Sequence, residues 1–279
     1  MDSERLKQIL RNYNIRPNVT YGQNFLMDEI ALEDIVDASG VNSEDCVLEI
    51  GPGIGNLTRK LCQRAKLVLS VEKDPAMLPI LKAVKKDCKN FHYEIADALE
   101  FDYQKFILDN GFKNFKVVAN IPYYITGKIL QLLLTAKFKP ESVTLLMQKE
   151  VAQNAVAPVG DMSVFSISVQ LYGEPKILNL IPAKSFFPSP KVDSAVLQVK
   201  VFPKPKYEID EKKFFAVVRA CFAGKRKQIH NTLVNNLKLP KAQVEEILTE
   251  LKISPLVRPQ QLTISQWVEL VNKIFGIQK

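Results

Sequence analysis

From about residue 28 to residue 150, short β-branched runs alternate with stretches of helical spacing. Residues 47–50, 67–71, 91–95, 117–119 and 143–147 predict strands. Between them, apolar residues recur at three- and four-residue intervals: Leu57 and Leu61 in one segment, Leu78, Leu81 and Val84 in another. That spacing is a helix face. Strand and helix in regular alternation predict an α/β fold, a doubly wound, Rossmann-like parallel sheet. Pro75 follows Glu72 and Asp74 and falls in the first turn of the next helix, where its missing N–H costs nothing.

Beyond residue 176 the pattern changes. Segments 176–182 and 195–202 predict a late antiparallel hairpin closing the sheet, its strands separated by the loop Phe186-Phe187-Pro188-Ser189-Pro190. The prolines at 203 and 205 mark a linker, and helices are expected over 211–222, 225–237, 240–251 and 263–275. The last opens with Thr263 and Gln266 at capping-box spacing and aligns Trp267, Leu270, Val271 and Ile274 on one face, so Trp267 is expected in a core. Three regions result: an N-terminal arm (1–27), a sheet domain (28–203) and a small helical C-terminal domain (204–279).

Composition narrows the class. In a chain of 279 residues, 47% hydrophobic, a substantial core is available. The longest apolar clusters, 129–136 and 164–171, fall short of the roughly 20 apolar residues a bilayer span needs. Asp2 and Glu4 with no apolar run behind them fit neither a secretory signal nor a transit peptide, and a cytoplasmic protein is expected. Cys46, Cys62, Cys88 and Cys221 are scattered, with only His92 and His230 beside them, so no metal site is expected. Net charge is +8, and its distribution is uneven: residues 204–279 hold 14 Lys and Arg against 7 Asp and Glu, while residues 1–203 hold 24 against 23. A near-neutral body with a basic tail points to a polyanionic partner, most often nucleic acid.

The chemistry gathers where strands should end. In Glu49-Ile50-Gly51-Pro52-Gly53-Ile54-Gly55 the glycines let a ligand approach bare backbone. Asn56 breaks the G-x-G-x-x-G pattern of pyrophosphate binding. Glu72, at the end of the second strand, is placed to accept both hydroxyls of a ribose, and Asp97, after the third, to accept an adenine amine. Together they describe an adenosine-containing cofactor without phosphate recognition, which S-adenosylmethionine satisfies. Each of these residues alone fits a helix cap or tight turn equally well.

Asn120-Ile121-Pro122-Tyr123, after the fourth strand, is the most specific segment. The exocyclic amine of adenine is a poor nucleophile because its lone pair is delocalised into the ring. An Asn120 side-chain oxygen and a carbonyl near Ile121, each accepting one N–H, would favour a pyramidal nitrogen with its lone pair directed at an incoming methyl. Pro122 stiffens the loop, and Tyr123 offers a ring for stacking. A base inside a helix cannot be reached this way and must be unpaired or flipped out. Phe186 has two readings, the second face of an aromatic sandwich or core packing.

At these residues the sequence resembles the ribosomal RNA adenine N6-dimethyltransferase family, in particular its bacterial small-subunit members. The matching segments are Gly22-Gln23-Asn24-Phe25-Leu26, the Glu49 to Gly55 loop, Asn120 to Tyr123, Leu146-Met147-Gln148-Lys149-Glu150-Val151, Pro188 to Val196, and Lys225-Arg226-Lys227 followed by Asn231 and Leu233. The resemblance implies a class I methyltransferase sheet with a helical RNA-binding tail, and two methyls placed on each of two adjacent adenines in a hairpin loop near the 3′ end of 16S rRNA. It implies that Asn24 and Leu26 join Gly51, Gly53, Glu72, Asp97 and Asn120 around S-adenosylmethionine. Asn120 and Tyr123 would hold the adenine, with Phe186 at the second stacking position. Lys225, Arg226 and Lys227 would contact RNA from the helix predicted over 225–237. The family usually has two arginines before the lysine, and Lys225 lacks the guanidinium fork for a bidentate phosphate contact. A monomer acting on the assembling small subunit is expected. Two alternatives share the Asn-Ile-Pro-Tyr segment or the fold: methylation of one large-subunit adenine, and a non-catalytic nucleic-acid-binding factor.

Overall fold

The computed structural model describes residues 3–17, 22–204 and 206–276. It divides into two compact units, the first comprising residues 1–153 and 173–203, the second residues 154–172 and 204–279. The second unit therefore draws in residues 154–172, which the sequence pattern assigned to the sheet domain. Its helix within that segment, Val164–Tyr172, has too many buried residues to stand alone and packs on the helix Glu211–Phe222 of the same unit.

The first unit is built on a seven-stranded sheet. Its parallel members are β2 (Cys46–Ile50), β3 (Leu67–Glu72), β4 (Phe91–Ile95), β5 (Lys116–Asn120) and β6 (Ser142–Gln148). The order is β4-β3-β2-β5-β6-β9-β7, with β7 (Gly173–Ile181) and β9 (Ser194–Val201) forming the expected antiparallel pair. β9 lies inside, antiparallel to both β6 and β7, and a register shift falls between Ile177 and Asn179. Every residue of β2 is buried, as are six of the seven in β6. Parallel strands covered on both faces take such near-continuous apolar runs.

Strand order reverses beside β2, with β3 on one side and β5 on the other. Ligands of open α/β sheets bind outside the carboxyl ends of the strands at such a switch point. β2 runs into the glycine loop and then α3 (Asn56–Arg64), β3 into a turn capped by Asp74 and then α4 (Leu78–Asp87), and β5 into a short 3-10 turn at Tyr123–Ile125 and then α6 (Thr126–Thr135). The N-terminal segment is tied into the same unit. α1 (Ser3–Asn12) contributes Leu6 and Leu10 to the core. A two-residue strand, β1 (Phe25–Leu26), pairs antiparallel with β8 (Phe186–Phe187), so part of the loop expected between the late strands is sheet. Asp28 then caps α2 (Glu29–Ser39) by accepting from the N–H groups of Ile30 and Ala31.

The second unit is helical: α8 (Val164–Tyr172), α9 (Glu211–Phe222), α10 (Ile229–Leu237), α11 (Lys241–Glu250) and α12 (Ile264–Phe275). Thr263 and Gln266 form the capping box expected from their spacing. Trp267 is fully buried, its ring 5.9 Å from that of Phe222. Among the described residues no helix is long and apolar enough to cross a membrane.

Candidate active site

An open cleft lies at the carboxyl ends of β2, β3 and β5, spanning about 1020 Å³ with the solvent at its mouth included. Its walls include Asn24 and Leu26, Gly51 and Gly53, Glu72, Asp97, and the whole of Asn120 to Tyr123. Ten residues singled out from scattered positions in the chain thus meet around one volume.

The glycine loop is shaped by its backbone. Gly51 has φ +72°, and a Cβ placed there would meet only the Asn120 carbonyl oxygen at 3.8 Å, so this peptide faces open space in the cleft. The Gly53 N–H donates to Glu72 Oε2 at 3.0 Å, and the Asp74 N–H donates to Oε1 at 2.9 Å. Glu72, 7% exposed, therefore clamps the glycine loop to the end of β3 and keeps lone pairs for a ligand. Burial pushes its pKa up, against the lowering effect of these N–H donors.

Asp97 is held differently. Its Oδ2 accepts from Lys73 Nζ at 2.7 Å and its Oδ1 from the Leu99 N–H at 2.9 Å. The lysine bond, then the backbone bond, keeps this carboxyl below its ordinary range, and it stays ionised.

Asn120 ends β5, and its Nδ2 donates to the backbone carbonyl of Asn24 at 3.3 Å. That contact engages the nitrogen end of the carboxamide and leaves Oδ1 as the acceptor for anything in the cleft. The Asn24 side chain itself turns back to the Gly22 carbonyl, at 3.2 Å. In the next residues, the Pro122 carbonyl accepts from the Ile125 N–H at 3.2 Å, which closes the turn that presents Tyr123. The Tyr123 hydroxyl is 2.7 Å from Ser194 Oγ, a fully buried residue at the start of β9 paired to Gln148 of β6 and Ile181 of β7. The ring is thereby anchored to the first residue of β9, between β6 and the edge strand β7, and burial raises the phenol's pKa.

Phe186 lies apart from these residues. It is 2% exposed, belongs to the hydrophobic core and is not among the described residues that line the cleft. A ring with no free face cannot stack on a base. Core packing is the role this conformation gives it.

Glu49 was read only as part of the glycine loop. It lines the cleft, is 1% exposed, and its Oε2 accepts from the hydroxyls of Thr58 at 2.7 Å and Ser70 at 2.8 Å. Burial pushes its pKa up to about 7 despite both donors. Tyr124 and Lys73 also reach the cleft wall. An acidic residue two places before the first glycine is a signal a sequence reading can use; the facing hydroxyls from α3 and β3 are not.

Lys225, Arg226 and Lys227 lie in the second unit, and here a boundary needs correcting. They occupy successive turns, with the Lys225 N–H bonded to Phe222 O and the Lys227 N–H to Gly224 O, and Gln228 is extended, so α10 starts only at Ile229. The three side chains are exposed, and none forms an ion pair with a described residue. Of the asparagines beyond them, Asn236 donates to the Ala220 carbonyl at 2.8 Å and so ties α10 to α9.

A doubly wound sheet ending in an antiparallel pair, with glycine loop, acidic strand ends and an Asn-Ile-Pro-Tyr turn around one cleft, defines a Rossmann-like class I methyltransferase. The model of the family described as ribosomal RNA adenine dimethylase matches residues 14–275. The chain belongs to that family. It is 38% identical over 277 residues to the Alkaliphilus oremlandii (strain OhILAs) protein named ribosomal RNA small subunit methyltransferase A, covering 97% of this chain and 96% of that one. Identity is also 38%, over 274 residues, to the protein of the same name from Clostridium botulinum (strain ATCC 19397 / Type A), covering 97% of this chain and 98% of that one. Among solved structures, a dimethyladenosine transferase from Plasmodium falciparum superposes with TM-score 0.76 at 26% identity, covering 90% of this chain and 98% of that chain. The 23S rRNA methyltransferase ErmE does so with TM-score 0.70 at 27% identity, covering 90% and 99%.

Proposed function

We propose that this protein transfers methyl groups from S-adenosylmethionine to the exocyclic N6 of two adjacent adenines in a hairpin loop near the 3′ end of 16S rRNA, giving N6,N6-dimethyladenosine during small-subunit assembly. The observation that carries the reading is the Asn120 carboxamide at the cleft, whose nitrogen donates to the Asn24 carbonyl and whose oxygen has no hydrogen bond to a described residue.

The residues fit the cofactor: an open glycine backbone at Gly51, a buried carboxylate at Glu72 for ribose hydroxyls, and an ionised one at Asp97 for the adenine amine. Asn24 and Leu26 complete that wall. When bound, the cofactor supplies an electrophilic methyl on a sulfonium. The chain's own work is positional. Asn120 Oδ1 accepts one N–H of the target amine, and the Ile121 carbonyl the other, since Pro122 O already accepts from the Ile125 N–H and the Thr126 hydroxyl. Both bonds strengthen as the nitrogen pyramidalises and becomes cationic, which favours the transition state over the ground state. Tyr123, braced by Ser194, supplies the stacking face. The cationic product amine is acidic enough to lose its proton to water, so no strong general base is needed.

Lys225, Arg226 and Lys227 supply phosphate contacts that position the RNA without reading its sequence. The protein acts as a monomer in the cytoplasm, where its substrate assembles. Mass spectrometry of small-subunit rRNA after incubation of undermethylated subunits with the protein and labelled cofactor tests substrate, site and methyl count together. Two dimethyladenosines in the small subunit are expected. Label confined to large-subunit rRNA, the substrate named for ErmE, would reject the proposal.

A further inference from the structure

Tyr124 is the residue after the aromatic assigned to the target base, and it is 59% exposed although it lines the same cleft. The ring is also held in place. Gly22, at φ +60°, approaches so closely that a Cβ there would lie 3.4 Å from Tyr124 Cε1, 3.5 Å from Cδ1 and 3.2 Å from Pro122 Cβ. A glycine in the left-handed region thus lets the arm brace one edge of the ring. From the other direction the backbone is fixed by the Ile125 N–H to Pro122 O bond and by the Thr126 N–H to Tyr123 O bond that leads into α6. No other described ring stacks on Tyr124.

We infer that Tyr124 is a second base-binding subsite at the mouth of the cleft, a stacking platform for the unpaired nucleotide adjoining the adenine being methylated. The inference rests on the function proposed above and adds to it. Drawing one base out of a loop strips its neighbour of a stacking partner, an energetic cost that an exposed aromatic at the right place offsets. Where two adjacent adenines are both substrates, the neighbour is a purine whichever base occupies the cleft, and purines present the larger face. Tyr123 and Tyr124, consecutive in the chain, then receive consecutive bases. Stacking ignores base edges, so this subsite adds affinity and register, not sequence discrimination.

The test uses the full-length protein and a hairpin RNA with two adjacent loop adenines, one replaced by 2-aminopurine, whose fluorescence falls on stacking. The substituted base has no N6 amine, so the remaining adenine is the one presented for reaction and the fluorophore becomes its neighbour. Wild-type protein and Tyr124→Phe should quench the fluorophore equally, and Tyr124→Ala should lose that quench. With both adenines restored as methyl acceptor, Tyr124→Ala should raise KM for the RNA by about five- to a hundredfold, with S-adenosylmethionine affinity unchanged. Exposure of the side chain makes loss of folding a poor explanation for such a result, and equal thermal unfolding of the variant and wild type checks it. Undiminished quench in Tyr124→Ala would overturn the inference, as would a Tyr124→Phe protein as impaired as Tyr124→Ala, since that outcome assigns the effect to the hydroxyl. The quench is read without methyl transfer, so a wild-type protein that quenches yet labels no small-subunit adenine refutes the proposed substrate and leaves the subsite standing.

Discussion

At the scale of single residues, the proposed mechanism depends on which atoms of the site are already engaged. Asn120 has two chemically opposite ends, and the Asn24 carbonyl occupies the donor end, so the acceptor end is presented without rotation at the moment of reaction. Replacing Asn120 with Ala should therefore lower turnover by about a hundredfold or more, the usual cost of removing a group aimed at developing charge. Cofactor affinity measured by calorimetry should change far less, because the ribose and adenine contacts proposed for Glu72 and Asp97 are untouched. An Asn120→Ala protein with unimpaired turnover would refute the lone-pair account. The Asn-Ile-Pro-Tyr spelling is legible without a structure, as is its chemistry. The partner that orients it is not, since a backbone carbonyl ninety-six positions away leaves no mark in composition or spacing.

At the scale of elements, the units that present these residues are short connections between rigid strands and helices. β1 and β8 are only two residues each, yet their pairing seats the arm at the cleft, and Phe186 of β8 is buried in the core. The resemblance implies a stacking role for Phe186, whose ring is 2% exposed in this structure. The basic triplet was expected on a helix and sits in turns before α10, where its three cations project without ion-pair partners among the described residues. Changing Lys225, Arg226 and Lys227 together to Ala should weaken RNA binding and flatten the slope of log affinity against log salt by up to about two to three, because fewer counterions are released. Filter binding from low to moderate salt reads that slope directly, and an unchanged slope would mean the turn does not meet phosphate. Helix existence was readable from apolar periodicity, while the start of α10 depended on where turn hydrogen bonds ended.

At the scale of the whole molecule, the cleft leaves a trace in stability. Glu49 and Glu72 are both buried with raised pKa values, Glu49 up to about 7, so the folded protein holds protons there that the unfolded chain has released. Native stability from these groups is greatest below the ordinary carboxylate range and falls as pH rises from about 4.5 through about 7. Glu49→Gln keeps acceptors for Thr58 and Ser70 but cannot ionise. Its Tm relative to wild type should rise steadily between pH 5 and pH 8; a difference independent of pH would show that Glu49 is not the group responsible. By itself the sequence determined the α/β class, most strand positions, the basic tail and the residue types gathered at strand ends, because periodicity, charge and local turn chemistry are written in consecutive positions. Only the tertiary structure decided that residues 154–172 pack with the helical unit, that Phe186 is core, and that the Asn24 carbonyl and the Ser194 hydroxyl hold the Asn120–Tyr123 loop. Those outcomes depend on which distant segments become neighbours, and burial and hydrogen-bond pairing across the sheet are settled by packing, not by spacing along the chain.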